Sequence, residues 1–279
     1  MKQNLSTSPT VVLRNGVSIP QIGFGTWPLK GGEAVTVVKS ALAEGYRHID
    51  TAENYQNEEA VGEAIRQSGV PREQIFVTTK FNRQWHSVQG ARTACEASLK
   101  RLGLDYADLL LIHWPNPDQN RFVDAFDGLQ RLLDAGLVRA IGTSNFKTEH
   151  LQRLVDNGMV PHVNQIQLAP YHQRLALRAV HAQHGIVTES WSPLGKGTAM
   201  LQEPAIVVMA AAHGKTPAQI VLRWHVQQGL VAIPKSSDAQ RQRENLQVFD
   251  FALGDVDMAA INALQNDGSP IMDADSFGH

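Results

Sequence analysis

The run Asp108-Leu-Leu-Leu-Ile-His113 constrains this chain more than any other stretch. It is almost continuously apolar. A strand with no polar face must be covered on both sides, as in the parallel sheets of α/β proteins. The covering helices are legible around it. Strand-like stretches fall at residues 22–26, 46–50, 75–80, 108–113, 140–144, 163–167, 186–191 and 230–233. Between and after them lie helical stretches at 33–43, 57–67, 87–102, 122–135, 148–157, 175–184, 204–213 and 217–228, with closing helices at 238–245 and 256–265. Ser87 stands where an N-cap belongs. Gly136, Gly158 and Gly185 stand where helices stop. Pro204 and Pro217 open two helices. Doubly wound sheets usually have fewer strands, and eight strands alternating with helices over ~250 residues is the (β/α)8 count. The fold expected is an α/β TIM barrel with extra helices near its C-terminus. Two short apolar runs around Asn15-Gly16, spanning residues 11–19, signal a β-hairpin ahead of the barrel, placed as a lid on one end. No linker or low-complexity break interrupts residues 1–279, so a single domain is expected.

Composition narrows the function. The formal net charge is -2 with no block of like charge, which argues against a nucleic-acid partner. The single cysteine, Cys95, excludes an internal disulfide and a cysteine-rich zinc site. No run approaches the ~18 apolar residues of a membrane span, and residues 1–10 lack a secretory pattern. A cytoplasmic protein is expected, with no membrane partner.

In barrels of this kind chemistry gathers where the strands exit. The second strand ends at Asp50, the third at Lys80 and the fourth at His113, and Tyr55 lies in the loop after the second. Taken singly, each has an ordinary reading: Asp50 as a helix cap, Tyr55 as core cover, Lys80 as a solvated cation, His113 as a structural histidine. Together they are coherent. A free tyrosine has a pKa near ~10, and a neighbouring ammonium lowers it. Asp50 supplies the counter-charge that keeps Lys80 ionised. Tyr55 then becomes a general acid, and His113 orients a substrate oxygen. The set protonates a developing alkoxide. It offers no nucleophile with an activating base, so acyl transfer is poorly supported.

With these residues in view, the chain resembles the aldo-keto reductases over nearly its whole length. Gly45-Tyr-Arg-His-Ile-Asp-Thr-Ala-Glu-Asn-Tyr-Gln-Asn-Glu58 looks like the family's first signature. Ile112-His113-Trp114-Pro115 and Gly142-Thr-Ser-Asn145-Phe146 look like its middle motifs, and Ile233 to Asn245 like its last. The resemblance implies a catalytic tetrad of Asp50, Tyr55, Lys80 and His113, with NADPH as hydride source. It also implies a protein that is often monomeric. The short segment 115–120 and the tail 266–275 resemble the prokaryotic branch that includes 2,5-diketo-D-gluconate reductases.

Gly23-Phe-Gly25-Thr-Trp-Pro28 begins like a dinucleotide fingerprint but has Pro where the last Gly belongs, so no Rossmann unit is read there. Lys235, Ser236, Ser237 and Arg241 lie at the exit of the last strand. Two cations, hydroxyls and helix-terminal N–H groups suit a phosphate, although a solvated helix start carries the same residues. By resemblance this is the adenosine 2′-phosphate site, with Glu244 and Asn245 at the adenine. Also by resemblance, Ser144, Asn145 and Gln165 hold the nicotinamide carboxamide and Trp191 lies against its ring. Ser192, Leu194, Gly195 and Gly197 form the following loop, where glycines let backbone approach the pyrophosphate. Gln167 and Ala169 depart from the family, which often has Glu and His there. Trp27, Trp85, His86 and Trp114, beside His113, suggest apolar walls for a small carbonyl substrate.

The function expected is NADPH-dependent reduction of small aldehydes and ketones. Two other readings stay open at this point. One is a non-catalytic NADPH-binding redox sensor or subunit on the same fold. The other is a metal-dependent barrel hydrolase, which needs histidines clustered at strand ends. Only His113 stands at one, and His48 is expected to point away from Asp50, so no metal site is expected.

Overall fold

The computed structural model describes residues 8–266 and 271–278. Most of the N-terminal stretch read for a secretory pattern, and positions 267–270 of the tail, lie outside the described residues.

The hairpin forms where the Asn-Gly pair placed it. Strands β1 (Thr10–Val12) and β2 (Ser18–Pro20) pair antiparallel. Gly16 takes the positive φ of 84° that the turn requires, and the Asn15 side chain accepts a hydrogen bond from the Val17 amide.

Eight strands follow: β3 (Phe24–Gly25), β4 (His48–Asp50), β5 (Phe76–Phe81), β6 (Ala107–Ile112), β7 (Val138–Ser144), β8 (Val163–Gln167), β9 (Val187–Trp191) and β10 (Val231–Ile233). All neighbours are parallel and in sequence order. The barrel closes through Ile22, which bridges to Ala232, and through Gly23 N–H donating to the Ala232 carbonyl at 2.9 Å. That seam explains why β3 is shorter than the 22–26 stretch expected: Ile22 and Gly23 bond across to the last strand rather than along β4. Every residue of β6 is buried, as its unbroken apolar run requires.

The helices are α1 (Gly31–Glu44), α2 (Glu58–Gln67), α3 (Val88–Leu102), α4 (Phe122–Asp134), α5 (Thr148–Asp156), α6 (Leu175–His184), α7 (Pro204–His213), α8 (Pro217–Gln227), α9 (Ala239–Leu246) and α10 (Asp255–Asn262). Ser87 caps α3, its hydroxyl accepting from the Gly90 amide. Thr216 and Gln219 form a capping box on α8. Among the described residues no single helix is long and apolar enough to cross a membrane.

Side chains alternate along each strand, so half of every strand faces the lumen. Leu13 and Ile19 of the hairpin pack with lumen residues Phe76, Leu109, Leu111, Ala140, Val163, Val231 and Ile233. The hairpin therefore plugs the N-terminal end, as expected of a lid. The opposite mouth, at the strand exits, is left for polar groups.

Candidate active site

The four groups read from the strand exits converge in the barrel mouth. Lys80, on β5, is fully buried. Its Nζ donates to Asp50 Oδ1 at 2.7 Å and to the Thr51 carbonyl at 2.9 Å. Tyr55 ends a 3-10 turn, Glu53–Tyr55, that folds back over the strand exit. The Lys80 ammonium lies 5.1 Å from the centre of its ring. The His113 ring meets Tyr55 edge-on at 5.8 Å.

Burial is the largest single influence on Lys80 and opposes its charge, but Asp50, Tyr55 and Glu189 together outweigh it and hold the lysine's pKa above its ordinary value. Tyr55 corrects the sequence reading. Lys80 does lower its pKa, as expected, yet burial raises it more and Asp50 adds to the rise. The net shift is upward. Tyr55 therefore holds its proton at neutral pH, and Lys80's role is to limit the cost of giving it up. His113 is pushed well below the ordinary histidine value, by burial first and by Lys80 second. It is neutral at physiological pH and carries one ring N–H, and its Nδ1 has no partner.

His48 also departs from expectation. It lies two residues before Asp50 on β4 and so shares its lumen face, one layer deeper. Its Nε2 is 3.0 Å from Thr78 Oγ1 and 3.6 Å from Glu189 Oε1. The two-residue strand period carried this signal.

A chain of hydrogen bonds joins the tetrad to the residues read as the nicotinamide side. Gln165 Nε2 donates to Asp50 Oδ2 at 2.7 Å, and the Ser144 hydroxyl donates to the Gln165 carbonyl at 3.0 Å. Asn145, at φ 64°, donates to Ser144 Oγ and to the His113 carbonyl. Trp191 Nε1 donates to Asn145 Oδ1 at 2.8 Å, which fixes the indole at the exit of β9. The amide of Gln165 is thus already engaged with Asp50 rather than free for a ligand.

The loop after β9 carries Ser192, Leu194, Gly195 and Gly197, with both glycines at positive φ (65° and 79°). It brings Lys196, which sequence reading passed over, to 3.5 Å from the centre of the Trp27 ring. Lys235 is close enough that its charge, after burial, lowers the Lys196 pKa. Lys235 Nζ donates to Ser237 Oγ. Among the described residues neither lysine, nor Arg241, pairs with a carboxylate. Like charges that no carboxylate pairs form a site that an anion completes, so the donor set fits a phosphorylated nucleotide. One detail differs from expectation. The Arg241 amide at the start of α9 is taken by its own cap, Asp238 Oδ1, at 2.9 Å, while Ser236 Oγ accepts from the Asp238 amide. Asn245 is buried beside the Tyr46 hydroxyl, and half-buried Glu244 accepts from Gln240.

Around the mouth, Trp27 is about half exposed and its ring lies under the Lys196 ammonium. Trp85 Nε1 is held by Glu53 Oε1 at 2.8 Å. His86 is buried, with both ring nitrogens unpartnered and its pKa pushed by burial to about 4. Trp114 stacks beside His113 and is covered by Phe277 at 4.8 Å. The tail forms this wall. Met272 N–H donates to Gln167 Oε1, Asn116 Nδ2 donates to the Gly278 carbonyl, and Lys147 pairs with Asp273 and Asp275. Nothing local in the sequence links the tail to Trp114, since the contact spans more than a hundred residues.

Residues 21–266 match the model of the aldo/keto reductase family. The chain is 46% identical over 267 residues to a 2,5-diketo-D-gluconic acid reductase B of Corynebacterium sp., covering 94% of this chain and 96% of that protein. It is 45% identical over 275 residues to the methylglyoxal reductase DkgA of Salmonella typhimurium, covering 97% and 99%. Among solved structures it superposes with a TM-score of 0.93 on a mutant of Gox0644 in complex with NADPH, at 42% identity and with 98% and 99% of the two chains covered.

Proposed function

The chain belongs to the aldo/keto reductase family, and we propose that it reduces small aldehydes and ketones through Tyr55, Lys80, Asp50 and His113. It is an NADP-dependent oxidoreductase, as its relatives and NADPH-bound structural neighbours indicate. The names of two of those relatives point to 2-oxoaldehydes and diketo sugar acids as the substrate class. The observation that carries the residue assignment is the buried Lys80 ammonium, bonded to Asp50 and facing the Tyr55 ring.

NADPH, when bound, supplies the hydride that reaches the carbonyl carbon. The chain's own groups do the rest. Lys196, Lys235 and Arg241 hold the phosphates, and the Trp191 indole offers a flat apolar face to the nicotinamide. The neutral His113 donates its N–H to the substrate oxygen and orients it. Tyr55 holds its proton at Oη until negative charge develops on that oxygen, then transfers it to complete the alcohol. The phenolate left behind faces Lys80, whose charge is fixed in place by Asp50 and the Thr51 carbonyl. Because these groups are already arranged, little reorganisation is needed in the transition state. Trp114, Trp85 and the Phe277 wall exclude water and grip a small apolar flank.

The test is NADPH consumption with methylglyoxal and a nitrobenzaldehyde. Turnover of either supports the reading. Tight NADPH binding with no turnover across a carbonyl panel would replace it with a sensor.

A further inference from the structure

One buried acid has no part in this chemistry. Glu189 sits on β9, two residues below Trp191 and on the same lumen face. It is fully buried, and neither of its oxygens has a hydrogen-bond partner. The groups that face it are few. From β4 come His48, at 3.6 Å, and the charge of Asp50; from β5 comes the charge of Lys80; from β8 comes Gln165, its direct register partner. Its neighbour across β10 is Val231, which has no charge. Gly23 leaves the room that His48 occupies, for a Cβ there would come within 2.6 Å of His48 Nδ1.

Two carboxyls thus compete for one ammonium and one amide in a buried lumen. All the donors go to Asp50: Lys80 to one oxygen, Gln165 to the other. Glu189 receives no well-formed bond, and the Gln165 amide is the one donor near enough to favour its ionised form. An ionised carboxyl without donors is costly in such a place, so the proton belongs on Glu189. His48 does not supply a compensating charge, since burial holds its pKa at about 4.

We propose that Glu189 is a positioning residue for carbonyl reduction: as a neutral acid beneath the tetrad it leaves Lys80 and Gln165 on Asp50, and once ionised it draws both away. This rests on the reductase reading above. Withdrawal of the Gln165 amide frees one Asp50 oxygen, and withdrawal of Lys80 frees the other and loosens the Lys80–Tyr55 contact. Burial, reinforced by Asp50, pushes the Glu189 pKa up to about 8, which sets the window in which the change occurs.

The experiment is the pH profile of kcat for NADPH-dependent methylglyoxal reduction, wild type against Glu189→Gln, each normalised to its own maximum. The wild type should lose activity above pH about 8, by about tenfold per pH unit, as a single ionisation requires. Glu189→Gln, which cannot ionise, should stay flat through that window. Coincident profiles would overturn the proposal while leaving the reductase reading intact. Absence of Tyr55-dependent turnover at every pH would instead remove the reading on which it rests. A second measurement does not depend on the variant folding. Infrared spectra of the wild type should show a protonated carboxylic acid at neutral pH that disappears as pH passes about 8. No such band at neutral pH would overturn the proposal.

Discussion

Replacing Lys80 by Met separates what the lysine does for the fold from what it does for the reaction. The side chain is fully buried and its Nζ makes two bonds, to Asp50 at 2.7 Å and to the Thr51 carbonyl at 2.9 Å. Met fills most of the volume but leaves Asp50 without its cation. Breaking a buried ion pair on one side costs about 3–5 kcal/mol. The catalytic loss has a different origin. At 5.1 Å from the ring centre, a unit charge in an effective dielectric of about 20 stabilises the phenolate by about 3 kcal/mol. That corresponds to about two pKa units, or a rate loss on the order of 100-fold. The assay pairs urea unfolding with NADPH consumption, for Lys80→Met alone and combined with Asp50→Asn. The double variant removes the orphaned carboxylate and should recover most of the stability but only a small part of the activity, the part that comes from relieving Asp50's opposing effect on Tyr55. A stable double variant with turnover restored to near wild type would refute the reasoning, because Lys80 would then act only as a structural partner of Asp50.

Arg241→Ala should weaken NADPH about tenfold and NADH hardly at all, about 1.4 kcal/mol. This is modest for a charged hydrogen bond because Arg241 is exposed. Equal losses for both cofactors, measured by fluorescence titration, would put the 2′-phosphate elsewhere. Acid should unfold the protein through its buried histidines. Burial holds His48, His162 and His225 at about 4 and His181 at about 3. The unfolded chain binds protons first, near ~6.5, so the stability they contribute is complete above that value and is lost as pH falls toward 4. Unfolding free energies constant between pH ~6.5 and ~4 would contradict this.

Much of the architecture was legible because the signals were local. The bounds of α6 and α7 match the stretches read from Leu175 to His184 and from Pro204 to His213. Asn15-Gly16 announced its turn and Ser87 its cap, since each depends on one residue's own chemistry. The strand exits announced Asp50, Lys80 and His113. What escaped was set by tertiary packing. Tyr55's net pKa shift turns on burial, and burial is a property of the closed barrel. Asn245 turns in to Tyr46, and Phe277 covers Trp114, through contacts between distant parts of the chain. His48 and Glu189 were within reach: each lies two residues from a residue already assigned to the mouth, and the period of a strand puts it in the same lumen.

The central claim is that Tyr55 delivers the proton. Tyr55→Phe removes one hydroxyl and keeps the ring that meets His113 and Lys80. Measured with methylglyoxal at saturating NADPH, kcat should fall by about 100-fold to 10,000-fold, the usual worth of a general acid, while the NADPH Kd stays the same. Turnover at the wild-type rate would show that the proton comes from another group, and the account of the site would fail with it.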